Sequence, residues 1–123
     1  KRKQFSKGMM QIAQEGAIQI FTLPETGWER VIVGVVGMLQ LEVLEYRMQN
    51  EYGVTFRRRD LPHQHIRFLA DSKLKPGDLT LASDTLWVED IRGRRLLVFS
   101  GEWSIRWALD KNPGLELLEF DQM

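Results

Sequence analysis

Cysteine is absent from the 123 residues, which removes any disulfide framework and any thiolate metal site. No apolar run approaches the roughly 20 residues that a membrane-spanning helix needs. The opening Lys1-Arg2-Lys3 leads into polar residues and not into a signal-peptide core. An excess of one charge is missing as well. The 17 basic side chains meet 17 acidic ones, so the chain as a whole is drawn neither to nucleic acid nor to anionic lipid. Any RNA contact has to come from a local patch. The phosphate-cradling patterns are missing too: there is no G-x-x-x-x-G-K-[ST] and no G-x-G-x-x-G after a strand. No carboxylate pair at recognisable spacing accompanies a nucleophile or a histidine base. These absences point to a soluble, cytoplasmic globular protein with no catalytic residue, no cofactor and no metal of its own. A composition of 43% hydrophobic and 28% charged residues fits that class.

What is present is organised around residues 30–54. Residues 31–36 form an almost unbroken β-branched apolar run, the pattern of a strand buried on both faces. Gly34 and Gly37 punctuate it, and the period then changes. Leu41, Leu44, Met48 and Tyr52 recur at steps of three or four, one face of a helix, and Leu39, Val43 and Tyr46 widen that stripe. Gly53 suits the position just past the helix end. Val54-Thr55-Phe56 resumes a strand pattern.

Taken in order, residues 3–15 read as an amphipathic helix, residues 17–23 as a strand, and residues 23–27 as a turn marked by Pro24 and Gly27. Helix, strand, strand, helix, strand is most of a split α/β unit of ferredoxin-like type. That topology begins with one more strand, which would lie beside residues 30–36; the C-terminal half, another copy or residues outside this sequence are expected to supply it. Pro62 breaks the pattern and separates residues 1–61 from residues 62–123, two halves expected to pack as one unit. The second half reads as a short strand at 66–70, a charged loop or ragged turn of helix at 71–78 and a short strand at 79–81. A hairpin of 86–91 and 95–99 turns at Gly93, a helix of 102–112 is capped by Ser100, and a last strand covers 115–120. The predicted class is α+β, a ferredoxin-like α/β plait followed by a smaller α/β extension.

Arg57-Arg58-Arg59 is the densest basic run, a candidate phosphate contact; the ordinary reading is a charged edge strand. Arg94 and Arg95, with Arg92, form a second candidate around the hairpin turn. Gly34-Val35-Val36-Gly37 matches the GXXG of a KH loop. It ends an apolar strand and displays valines, which favours close strand–helix packing. His63 and His65 lack the further ligands that zinc sites need. Trp87, Trp103 and Trp107 are read as core and not as base-stacking platforms.

Residues 7–21, K-G-M-M-Q-I-A-Q-E-G-A-I-Q-I-F, resemble the K-G-L-x-Q-L-x-E-E-G-A-x-Q-x-F stretch of the bacterial peptide chain release factor 3 family. Residues 33–44, V-G-V-V-G-M-L-Q-L-E-V-L, resemble its V-G-x-V-G-x-L-Q-F-E-V-x stretch, and Arg47, Glu51, Tyr52, Gly53 and Val54 continue the match. The unit is similar, more distantly, to the third domain of elongation factor G. The resemblance is specific over residues 4–57 and weaker beyond. It implies the third, C-terminal domain of a translational GTPase that frees class I release factors from the ribosome. GTP or GDP with Mg would bind a domain absent here. The implied partners are the small ribosomal subunit, its protein and rRNA, the GTPase and β-barrel domains of the same chain, and class I release factors indirectly. The alternative is an independent ferredoxin-like or KH-like RNA-binding module.

Overall fold

The computed structural model describes residues 2–16 and 18–119. Ala17 and Phe120, both expected in strands, lie outside them. The fold is mixed α/β, with three α-helices and six strands among the described residues, and every described pairing is antiparallel. It divides into two compact units, Lys1–Asp60 and Leu61–Met123.

The first unit begins with α1, Arg2–Gln14, which buries Gly8, Met9, Ile12 and Ala13 at helical spacing. Strands β1, Gln19–Leu23, and β2, Gly27–Gly34, form a hairpin in which Ile20 faces Val33 and Phe21 faces Ile32. Helix α2, Met38–Tyr52, follows. Its start has no side-chain cap from Gly37. Instead the Gln40 side chain reaches back, its Oε1 accepting the Val36 N–H at 2.6 Å. Its end is closed by Gly53 at φ 66°, with the Gly53 N–H on Gln49 O and the Val54 N–H on Met48 O. Both helices cover one face of the hairpin. Met9, Ile12, Ala13, Ile18, Ile20, Leu44, Met48 and Val54 make that core. Gly8 is where the helices come closest: a Cβ there would lie 2.8 Å from Met48 Sδ and from the Tyr52 ring.

Four expectations are corrected here. Residues 31–36 are not buried on both faces: β2 ends at Gly34, its valines are half-buried, and Val36 is 97% exposed. Among the described residues β2 has a ladder with β1 alone, so the strand expected beside residues 30–36 is not supplied by the C-terminal half. Exposed Glu29 and Arg30 on that strand suit an edge. Residues 54–56 form no strand among the described residues, because buried Val54 and half-buried Phe56 are held in the helical core and not in a ladder. Leu39, Val43 and Tyr46 do not widen the buried stripe of α2. They point the other way, exposed, and Leu41 is only half-buried.

In the second unit β3, His65–Leu69, lies between β5, Arg95–Phe99, and β6, Leu117–Leu118, while β4, Leu86–Asp90, pairs with the other edge of β5. The strand expected at 115–120 is therefore two residues long among the described ones. Helix α3, Glu102–Lys111, packs Ala108 and Ile105 against Leu69, Trp87, Leu97 and Phe99. Its cap is Gly101; Ser100 instead donates to Asp84 Oδ2 at 2.6 Å. Residues 79–81 form no strand, since the Asn112 side chain takes both the N–H and the carbonyl of Thr80. Trp87 is core, Trp107 is half-buried, and Trp103 lies on the surface.

Candidate nucleic-acid interface

The basic run leaves the first unit just after the α2 cap. Val54 is buried and Phe56 packs edge-on against Phe5, with ring centroids 6.1 Å apart. These two side chains tether the segment. Beyond them no ladder constrains it, and Pro62 could not join one. Arg58 folds back onto α2, with its guanidinium 3.4 Å from Glu45. Arg57 and Arg59 are exposed and have no hydrogen bond or ion pair among the described residues. Two forked cations two residues apart in an irregular segment can each meet a phosphate with two hydrogen bonds.

The hairpin arginines are placed differently. The β4–β5 turn is built around Asp90, whose Oδ1 accepts the N–H groups of Arg92 and Arg94 at 2.9 Å each. Its Oδ2 accepts Arg94 Nε at 2.7 Å, and the Arg94 guanidinium lies 4.6 Å over the Phe68 ring. Gly93, at φ 81°, supplies the left-handed residue this turn requires. Arg95 approaches Glu89 at 3.7 Å and donates to the Ser72 carbonyl. Arg94 and Arg95 thus have acidic partners of their own, whereas Arg92 is exposed. No sequence signal separated these committed arginines from the free ones, since partner choice is set by the fold.

A three-way charge cluster went unread in the sequence. Arg47 donates from Nη1 to Glu15 Oε1 at 2.6 Å and from Nε to Glu51 Oε2 at 2.8 Å, linking α2 to the end of α1. These hydrogen bonds hold both carboxyls below the usual range and push the guanidinium's pKa up. The i,i+4 spacing to Glu51 was visible; Glu15, 32 residues away, was not. His63 sits against the Asp84 carbonyl, with Nε2 to O at 2.5 Å, and His65 lies in β3. Among the described residues no three metal-ligating side chains cluster. An open hollow in the second unit is lined by Asp71, Asp78, Lys111 and Glu116 among others, more acid than base and no cradle for phosphate.

A model of the family described as "Class II release factor RF3, C-terminal domain" matches residues 1–109. The chain belongs to the release factor 3 family. The match continues past the first unit into α3 of the second, well beyond residues 4–57. Among relatives named peptide chain release factor 3, that of Symbiobacterium thermophilum is 38% identical over 115 residues. That stretch is 94% of this chain and 22% of the relative. Those of Lactobacillus delbrueckii subsp. bulgaricus and Listeria monocytogenes are each 39% identical, over 97% and 95% of this chain and 22% of theirs. The chain therefore spans about a fifth of these release factor 3 proteins. Their name concerns release of the peptide chain, the termination of protein synthesis. The mixed α/β architecture is consistent with a ferredoxin-like release factor 3 C-terminal domain.

Proposed function

We propose that this domain acts in the cytoplasm as a non-catalytic, ribosome-contacting part of a termination GTPase, helping to free class I release factors after peptide release. Family membership supports the setting. GTP or GDP with Mg would be handled in the remaining four-fifths of the polypeptide, as would its interplay with the barrel domain.

The contact is to rRNA phosphate on the small subunit, made by Arg57 and Arg59. The observation that carries this is the pairing pattern: of the six candidate arginines, Arg58, Arg94 and Arg95 have acidic partners, Arg92 stands alone at the hairpin turn, and Arg57 and Arg59 are the two unpaired cations that share one segment. With net charge zero the domain has no general attraction for RNA, so local unpaired cations must supply it. In the full-length protein, Arg57→Glu with Arg59→Glu should weaken ribosome binding and slow release-factor recycling while GTP binding stays normal. Exposed arginines add little to folding, so the thermal melt should hardly move. Recycling at the wild-type rate would remove the assignment.

A further inference from the structure

Helix α2 is apolar on two opposite sides. Leu44 and Met48, with half-buried Tyr52, face the core of the first unit. At 100° per residue, Leu39, Val43 and Tyr46 fall on the far side, and they are 70%, 46% and 68% exposed. Val36 and Met38 are exposed at the start of the helix, Met38 on the flank between the two strips. An apolar strip on each side is the pattern of a helix covered from both sides. Within the first unit no described residue covers that second strip.

We infer that the outer face of α2 is an interdomain surface, docked against the preceding part of the full-length polypeptide. The family model is that of a C-terminal domain, and the matched stretch is 22% of each relative, so most of the polypeptide stands before it. The strip carries no cation that would suit RNA: its neighbours are Glu42 and Asn50, and Arg47 is bound by Glu15 and Glu51. Five side chains offer on the order of a few hundred Å². That falls short of the roughly 800 Å² per partner typical of stable separate proteins. A domain on the same chain is held at about millimolar effective concentration, and a small contact suffices. The inference rests on family membership and not on the ribosome contact.

The test uses purified full-length protein without ribosomes. A photo-reactive residue is introduced as Leu39→benzoylphenylalanine or Tyr46→benzoylphenylalanine, with Glu25→benzoylphenylalanine in the exposed β1–β2 turn as background. Irradiation should give an intramolecular cross-link from positions 39 and 46 to a peptide upstream of this chain, and none from position 25. Val43→Glu should abolish it. A cross-linked dimer would assign the face to a second copy, and a link to residues 61–123 would assign it to the second unit. A link formed only to ribosomal protein when ribosomes are added would assign it to an outside partner. Each of these results overturns the inference, as does the absence of any cross-link above background. None depends on the fate of Arg57→Glu with Arg59→Glu, so the two readings fail separately.

Discussion

Gly8 shows how much one missing methyl group decides. The α1–α2 crossing leaves no room for a Cβ, which would sit 2.8 Å from both the fully buried Met48 sulfur and the Tyr52 ring. Gly8→Val should therefore destabilise this chain by about 2 kcal/mol, an overpacking cost that no helix-propensity gain offsets. The check is a shift of the urea midpoint at unchanged slope. The same substitution at Gly77, where a Cβ meets nothing within 4 Å, is the control. Arg47 makes a second prediction. Glu15 and Glu51 have folded pKa values below 4.5 because they accept hydrogen bonds from Arg47. Their contribution is fully present above that value and is lost as pH falls through the lowered ones. Between pH 4.5 and that lower range, Glu15→Gln with Glu51→Gln should flatten the fall of the urea midpoint seen in the parent chain. The effect is small because the cluster lies at the surface. Neither feature was legible in the sequence: Gly8 sits mid-helix with no turn signal, and Glu15 is remote from Arg47. Gly53 was legible, because a cap follows from local backbone chemistry.

At the scale of the element, α2 separates what a helical period can tell from what it cannot. Its length and both ends followed from the pattern around Gly37 and Gly53. Its second apolar strip did not, because Leu39, Val43 and Tyr46 obey the same period as Leu41, Leu44 and Met48. Period identifies a helix, while burial depends on what lies opposite. Leu44→Ala should cost about 3 kcal/mol, a lost core side chain plus a cavity. Leu39→Ala on the other face should cost about 0.5 kcal/mol or less. Thermal melts of the two variants decide it, and equal losses would show the face assignment to be wrong. The strands misread at 54–56 and 79–81 share a cause. Short apolar runs satisfy a strand pattern, yet Val54 serves the helical core and Asn112 occupies the backbone of Thr80.

For the whole molecule, the class and the family were legible: residues 7–21 and 33–54 carried the release factor 3 resemblance, and the family model matches residues 1–109. The candidate site was legible only as a roster of arginines. Which of them are free depends on Glu45, Asp90 and Glu89, positions that the fold selects. The central claim is that Arg57 and Arg59 meet rRNA phosphate, and counterion release tests it most directly. The affinity of the full-length protein for ribosomes should be measured against salt, for the parent and for Arg57→Glu with Arg59→Glu. Each phosphate contact adds about 0.9 to the slope of log affinity on log salt, so the variant's slope should be shallower by about 2. Its deficit should be largest at low salt and shrink as salt rises. Parallel lines, or superimposed ones, would contradict the claim.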